Sequence, residues 1–295
     1  MAGFAAARYA LPMASRSMPP SAVPAGASRL VHFAGRAGDR NASAMRGAAT
    51  LATLLADRHG TGIVRVGEPA PPLAAGWRVE LEAASAGLAA LRRTLGEALA
   101  AGPAVTVLNR CAAALGTLPA VATARPVAVI VWLDAHGDCN LPGLTTSGYL
   151  GGLVLRAAAG LWDSGLGAGI DLADVVLVGA RDLDPFERAL VEEGRLRLLP
   201  PGPGLAARLE IAVAGRPVYV HLDCDVLAPG VVPTEYQVPG GLGLAELGEV
   251  AAMLAELPLA GLEIAEFEAE WPDGTPGDAR PLVDALAPLL ARWRA

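Results

Sequence analysis

Lysine is absent from this chain, so its 23 permanently basic side chains are all arginine. The 30 acidic residues outnumber them and give a formal net charge of −7. This balance argues against a surface for nucleic acid or for an anionic membrane, because both partners require a basic patch. A cytoplasmic enzyme that acts on a small cationic molecule is compatible with the composition, as are many other acidic proteins.

Cysteine is scarce, and long hydrophobic runs are missing. The three cysteines, Cys111, Cys139 and Cys224, do not suggest a disulfide framework in a chain of this length. No uninterrupted apolar run reaches the roughly 18 residues that a membrane-spanning helix requires. Residues 1–28 are rich in Ala, Ser and Pro, so we expect a disordered tail or an over-long start there. We predict one domain over residues 29–295.

Apolar residues make up 53% of the chain, and they fall into short β-rich runs that alternate with helical patterns. Strands are predicted near 29–34, 62–66, 104–108, 126–133, 174–179, 195–199, 217–222 and 261–267. Helices are predicted near 41–58, 84–101, 111–123, 147–160, 186–193, 203–213, 244–257 and 281–293. The central strands are continuous apolar runs, which is typical of strands covered on both faces. The alternation therefore predicts an α/β fold with a parallel sheet between two helical layers.

Two acidic groups follow predicted central strands. Asp134, His136 and Asp138 occupy alternate positions, which in an extended chain turn to one side. Asp223 and Asp225 are predicted to share a face at the end of another strand. Carboxylates that converge at the carboxyl ends of parallel strands need a nearby cation. Oxygen-rich ligands with one imidazole favour Mn²⁺, with Zn²⁺, Fe²⁺ and Co²⁺ as alternatives, and two ions suit the activation of water.

The surrounding residues resemble the arginase/agmatinase family, the ureohydrolases. DAHGDCN (134–140) looks like the family's DAHxDxN motif, and HLDCDVLAPGVVP (221–233) followed by VPGGL looks like its second aspartate motif. GARDLDP (179–185) and LEIAEFE (262–268) also match family segments. The resemblance implies a three-layer α/β/α sandwich with a mostly parallel eight-stranded sheet. It further implies two Mn²⁺ per chain, hydrolysis of a guanidino or amidino C–N bond, and a possible homo-oligomer.

The resemblance also assigns metal ligands. Asp134 and Asp223 would bridge both ions, and His136 and Asp225 would complete one site. Asp138 would belong to the other site and hold the attacking water, which makes it a catalytic candidate.

The segment LNRCAAALG (108–116) departs from the family pattern. Cys111 stands where the family has a histidine ligand, and Arg110 stands where it has an aspartate. Cys111 is either a true ligand or an inert neighbour of a weakly held ion, because a thiolate can bind Mn²⁺ but is softer than the other ligands. Two cations would repel Arg110, so its side chain is expected to point away.

The segment TTSGYLGGL (145–153) is a second departure. Gly151 stands where family arginases carry a proton-shuttling histidine, and Tyr149 replaces an asparagine that holds substrate. Both departures resemble a branch that hydrolyses Nω-hydroxy-L-arginine to hydroxyurea and ornithine in antibiotic biosynthesis. An N-hydroxyguanidine is less basic than a guanidine, so more of it is neutral near pH 7 and its carbon is more open to a metal-bound hydroxide, which is compatible with a weaker acid–base apparatus. Hydrolysis of another linear amidine, and a non-catalytic arginase-like protein, are the alternatives.

Further residues receive roles only through this resemblance. The substrate-binding candidates are Asn140 and Ser147 for the α-carboxylate, Asp184 for the α-amino group and Glu266 for the guanidino group, where Glu266 is also a catalytic candidate. Asp182 is expected to order its loop by pairing with Arg181. From its position two residues before Asp223, His221 is interpreted either as a group of the site, behind the metals or as a substitute proton carrier, or as a hydrogen-bonded core residue.

Overall fold

The structure is a computed structural model, and it describes residues 29–293. The prediction for residues 1–28 falls outside the described residues. Eight strands form one sheet, and they are β1 (Arg29–Phe33), β2 (Ile63–Val66), β3 (Ala104–Val107), β4 (Val129–Leu133), β5 (Val175–Val178), β6 (Arg197–Leu199), β7 (Val218–Asp223) and β8 (Leu259–Ala265). Their order across the sheet is β2-β1-β3-β8-β7-β4-β5-β6. All pairings between these strands are parallel, so the sheet predicted as mostly parallel is parallel throughout.

Helices cover both faces of the sheet. They are α1 (Ser43–His59), α2 (Trp77–Ala101), α3 (Ala114–Ala124), α4 (Val154–Ala158), α5 (Pro185–Glu192), α6 (Leu205–Val213), α7 (Leu244–Ala255), α8 (Arg280–Ala285) and α9 (Ala287–Trp293). Successive strand residues point to opposite layers: Val31 belongs to the apolar layer that includes α2 and α3, whereas Leu30 belongs to the layer that includes α1 and α7. The buried strands are apolar on both faces for this reason. No helix within residues 29–293 is both long and apolar enough to cross a membrane.

Three predicted helices differ from the structure. The helix predicted over 147–160 is mostly a loop, with a 3₁₀ turn at Gly151–Leu153 before the short α4. Gly148 there has a φ of 63°, and several glycines in the segment disfavour continuous helix. The helix predicted over 84–101 begins earlier, at Trp77, where Glu80 accepts the Ala75 N–H at 3.0 Å. The helix predicted over 281–293 is two helices, α8 and α9.

The sheet order brings the site residues together. The strands β3, β8, β7, β4 and β5 are consecutive neighbours, and their carboxyl ends meet at one edge of the sheet. Each of these ends leads into a segment with candidate site residues. The last strand of the chain, β8, lies between β3 and β7, so Glu266 is placed beside Cys111 although 155 positions separate them.

Candidate active site

The two predicted acidic groups meet at the ends of β4 and β7. His136 Nδ1 lies 3.3 Å from Asp134 Oδ1 and 3.0 Å from Asp225 Oδ2. The Ala135 N–H donates to Asp225 Oδ1 at 3.0 Å, which ties the loop after β4 to the turn after β7. One nitrogen or oxygen atom from each of Asp134, His136 and Asp225 lies within 4.8 Å of the others. This geometry places three potential ligand atoms around one point.

The thiol of Cys111 extends this group toward β3 and β8. Its Sγ lies 2.9 Å from Asp223 Oδ2 and 3.1 Å from His221 Nε2. Potential ligand atoms of Cys111, Asp223 and Glu266 also lie within 4.8 Å of one another. His221 is held from behind, where Nδ1 is 2.6 Å from Glu263. It is therefore a hydrogen-bonded core residue that contacts the site through Cys111, which combines the two interpretations offered for it.

Local turns, rather than the alternation of side chains along a strand, orient the carboxylates of Asp138 and Asp225. The strand β4 ends at Leu133, and Asp138 has a left-handed φ of 43°. Asp225 lies in a 3₁₀ turn, where its N–H donates to Asp223 Oδ1 at 2.7 Å. The prediction of extended chain through both motifs is thus wrong, because each chain bends directly after its strand. Asp138 lines the same pocket as Asp223 and Asp225 but belongs to none of the three tight ligand groups.

The electrostatics of the buried aspartates at the ends of β4 and β7 favour the binding of a cation. Burial, and then the neighbouring carboxylates, raise the pKa of Asp134, Asp138 and Asp223 above the ordinary value. Burial also acts on Asp225, but its contact with His136 lowers the pKa of that carboxyl overall. Asp225 Oδ2 is buried and has no well-aligned hydrogen bond. A buried carboxylate oxygen whose one nearby donor, His136 Nδ1 at 3.0 Å, is poorly aligned, beside three aspartates with raised pKa values, fits the donor set of a divalent-metal centre.

The residues predicted to bind the α-carboxylate and α-amino groups of a substrate meet at the loop after β5. Asn140 donates its side-chain N–H to Asp184 Oδ2, and the Thr146 hydroxyl donates to Asp184 Oδ1 at 3.4 Å. Ser147 lines the same pocket, and its Oγ accepts the Tyr149 N–H at 3.2 Å. The structure therefore brings Asn140, Ser147 and Asp184 into the pocket that Cys111 and Glu266 also line.

Arg181 anchors this loop, but not in the predicted way. Its guanidinium donates to the backbone oxygens of Asp225 at 2.9 Å and Val238 at 2.8 Å, with further bonds to neighbouring carbonyls. A pairing with Asp182 is not what orders the loop. Arginine suits this position because its planar fork donates to several carbonyls at once.

Glu266 is engaged by three donors. Arg110 Nη1 donates to its Oε2 at 2.6 Å, the Cys111 N–H donates to Oε1 at 2.9 Å, and the Tyr149 hydroxyl donates to Oε1 at 3.3 Å. Glu266 has a φ of 65°, a strained conformation for a residue with a side chain. Arg110 is completely buried and does not line the pocket, so it points away from the aspartates as expected.

Two pocket residues escaped the sequence analysis. Glu187 lies on α5 and accepts the N–H groups of Cys139 at 2.8 Å and Asp184 at 3.0 Å, so it fixes both loops. Its signal was present in the sequence, since Asp184 and Glu187 have the spacing of a capping box. Tyr236 lies edge-on to His136, with ring centroids 5.3 Å apart. No pattern in the sequence marks that long Gly/Pro-rich loop as part of the pocket.

Comparison with known proteins identifies the family. A family model described as Arginase family matches residues 111–273. A relative from Streptomyces lavendulae named N(omega)-hydroxy-L-arginine amidinohydrolase is 42% identical over 263 residues, covering 88% of this chain and 94% of the relative. The chain belongs to the arginase family. The predicted family and the predicted class of enzyme, a hydrolase of guanidino-type C–N bonds, are thereby confirmed.

Solved structures confirm the fold of this arginase-family protein. An Entamoeba histolytica arginase in complex with L-ornithine matches with a TM-score of 0.76 at 18% identity, covering 91% of this chain and 98% of that one. A proclavaminate amidino hydrolase from Streptomyces clavuligerus matches with a TM-score of 0.65 at 20% identity, covering 92% of each chain. The predicted α/β/α sandwich is therefore the arginase fold.

Proposed function

We propose that this arginase-family enzyme uses two Mn²⁺ ions to hydrolyse Nω-hydroxy-L-arginine to hydroxyurea and ornithine, in the cytoplasm. The observation that carries the proposal is the 42% identity, over nearly the full length of both chains, to a relative named for that reaction. Two features of the site support it. Cys111 takes the place of a histidine ligand beside Asp223, and residue 151 is glycine rather than a proton-shuttling histidine, which suits an N-hydroxyguanidine that is less basic than a guanidine and more often neutral.

The proposed ligands of the two ions are Cys111, Asp134, His136, Asp138, Asp223 and Asp225. When bound, the ions would polarise the substrate carbon and lower the pKa of water. Asp138 accepts a hydrogen bond from the attacking water and keeps a lone pair of that water directed at the carbon. Its burial at the floor of the pocket suits this role.

The remaining candidates hold the substrate. Asn140 and Ser147 donate hydrogen bonds to the α-carboxylate, and Asp184 accepts one from the α-amino group. Asp184 is already oriented by Asn140 and Thr146. Glu266 accepts an N–H of the hydroxyguanidino group and so acts as the second catalytic candidate, at the end nearest Cys111. The two ends of the substrate are thus recognised by different residues of one pocket.

The test incubates Mn-loaded protein separately with Nω-hydroxy-L-arginine, L-arginine and agmatine. We expect hydroxyurea and ornithine from the first, with a rate at least tenfold above urea release from the other two. The Asp223→Asn variant should lose turnover, whereas Asp57→Asn, an exposed position on α1, is the matched control and should keep it. Metal analysis should find two manganese ions per chain. Absence of turnover with all three compounds contradicts the proposal.

Hydrolysis of a different linear amidine is the competing candidate. The pairing of Asn140 with Asp184 favours a substrate with an amino-acid end, because it holds a donor and an acceptor side by side. Agmatine has no α-carboxylate. Faster turnover of agmatine than of Nω-hydroxy-L-arginine would therefore select this alternative, and a protein that binds no metal would select a non-catalytic role.

A further inference from the structure

Arg110 sits in a cage of carboxylates directly behind the pocket. Its side chain is completely buried. Nη1 lies 2.6 Å from Glu266, Nη2 lies 2.6 Å from Glu235 and 3.1 Å from Glu268, and Nε lies 3.5 Å from Asp39. Glu235 and Glu268 share Nη2, whereas Glu266 is the carboxylate that Nη1 contacts. Because every arm of the guanidinium faces an acid, the side chain is fixed in place.

This contact changes what Glu266 can offer to a substrate. A carboxylate has about four acceptor positions on its two oxygens. Three donors already reach Glu266, namely Arg110, the Cys111 N–H and the Tyr149 hydroxyl. About one position remains for a ligand, and Arg110 compensates the charge of the carboxylate at close range. Glu266 is the pocket member of the pair, since Arg110 itself does not line the pocket.

We propose that Arg110 is a positioning residue that determines specificity, because it occupies Glu266 from behind and so selects an uncharged head group that needs only one acceptor position. A guanidinium at Glu266 would find one acceptor position where it could use two. A neutral N-hydroxyguanidine does not meet this difficulty. The inference deepens the proposed function and rests on it for the identity of the substrate.

Tyr149 reinforces the arrangement. Its hydroxyl takes one acceptor position of Glu266, and its ring lies under the guanidinium of Arg40, 5.0 Å from the ring centroid. A Cβ at Gly151 would come within 2.5 Å of the same ring. The space beside Glu266 is therefore filled by a neutral donor.

The test compares two ligands that differ in head-group charge, L-citrulline (neutral) and L-arginine (cationic). Their dissociation constants are measured by calorimetry on the Mn-loaded protein, with urea release followed during the titration to correct for any turnover. In the wild type we expect L-citrulline to bind at least as tightly as L-arginine. Tighter binding of L-arginine overturns the inference, and this measurement requires no variant.

The variant Arg110→Met/Glu268→Gln removes one positive and one negative charge, so the cage keeps its overall charge while Glu266 loses its partner. Glu268→Gln alone is the matched control. The double variant should shift the ratio of the two dissociation constants toward L-arginine by about tenfold, and any shift above threefold supports the inference. A ratio within threefold of the control, in a variant that folds and binds manganese, overturns it.

The two proposals fail differently. If Nω-hydroxy-L-arginine is not hydrolysed but the preference for a neutral ligand and its dependence on Arg110 are found, the proposed reaction is wrong and the role of Arg110 stands. If Nω-hydroxy-L-arginine is hydrolysed but the ratio of the dissociation constants of L-citrulline and L-arginine does not respond to Arg110, the proposed reaction stands and the role of Arg110 is wrong.

Discussion

Cys111 owes its chemistry to the groups around it. Burial, followed by the charge of Asp223, raises the pKa of the Cys111 thiol well above its ordinary value. The thiol therefore keeps its proton in the absence of metal and donates to Asp223. A divalent cation reverses this, since a metal-bound thiol is deprotonated. His221 is stacked on Trp132, with ring centroids 3.5 Å apart, and holds the sulfur on its other side.

Replacement of the Cys111 thiol should weaken the binding of metal. We expect Cys111→Ala to weaken manganese binding by roughly tenfold or more, the range seen when groups that support a metal site are removed. Cys224→Ala is the matched control, because Cys224 is equally buried but packs in the apolar layer beneath α7. The measurement is manganese per chain after dialysis against a metal buffer. Equal retention by both variants would show that Cys111 is not a ligand.

Asp39 is a second buried acid whose surroundings set its protonation. Burial raises the pKa of Asp39 to about 7, although Arg110 acts to lower it. Its Oδ2 accepts the Ala37 N–H at 2.9 Å, and its Oδ1 has no hydrogen-bond partner. The folded protein thus holds a proton on Asp39 that the unfolded chain releases near pH 4. Stability from this group is present below pH 4 and is lost as the pH rises toward 7.

The pH dependence can be isolated with Asp39→Asn, which keeps an acceptor but cannot ionise. Relative to the wild type, this variant should gain free energy of unfolding between pH 5 and pH 8, by at most about 3 kcal/mol, because about two pH units separate pH 5 from the raised pKa of about 7. Urea unfolding in the presence of a chelator measures the free energy of unfolding of both proteins at pH 5 and at pH 8. A wild-type-to-variant difference that does not change with pH would show that Asp39 titrates in its ordinary range.

At the scale of elements, the segment between β4 and α4 shapes the pocket. The 3₁₀ turn at Gly151–Leu153 passes so close to Tyr149 that a Cβ on Gly151 would meet its ring carbon at 2.5 Å. The ring is held by Glu266 and Arg40 and cannot turn freely. Glycine at 151 and tyrosine at 149 are therefore coupled, and a side chain at 151 requires a smaller residue at 149.

Gly151→Ala should destabilise the protein by about 1–3 kcal/mol, the usual cost of overpacking. Gly152→Ala is the control in the same turn, since a Cβ there meets nothing within 4 Å. In a Tyr149→Ala background the cost of Gly151→Ala should largely disappear, and thermal unfolding of the four proteins gives the coupling. Equal costs for Gly151→Ala in both backgrounds would remove Tyr149 as the cause.

At the scale of the molecule, one edge of the sheet concentrates negative charge. Five neighbouring strands end there, and burial together with neighbouring carboxylates raises the pKa of Asp134, Asp138 and Asp223, which follow β4 and β7. The apolar layers on both faces of the sheet must hold this edge together. Binding of metal should therefore stabilise the whole fold as well as enable chemistry.

Manganese should raise the melting temperature. Free metal at a hundredfold excess over its dissociation constant adds about 2.7 kcal/mol for one site. For a chain of 295 residues, that corresponds to an increase of roughly 4–5 °C. Asp134→Asn should respond much less, because it weakens the site without unfolding the sheet. Scanning calorimetry with manganese and with a chelator measures both, and identical shifts in the two proteins would contradict the assignment of Asp134 as a ligand.

The sequence alone determined the strands, the layers and the acidic motifs. Continuous apolar runs define β4, β5 and β7 because strands buried on both faces have no polar side. The aspartates at 134, 138, 223 and 225 were recognised because their types and spacing are local properties. Local signals failed where glycine-rich chain bends, as at residues 147–153, because a helical pattern there is outweighed by turn conformations.

Only the tertiary structure decided what Arg110 does. In the sequence it is a misfit beside a presumed metal ligand, and nothing near it indicates a partner. The insertion of β8 between β3 and β7 places Glu266 and Glu268 beside it, from more than 150 positions away. Strand order depends on packing across the whole sheet, which no short stretch of sequence encodes. The electrostatic surroundings of Glu266 in the pocket therefore depend on the tertiary structure and could not be predicted from the sequence near it.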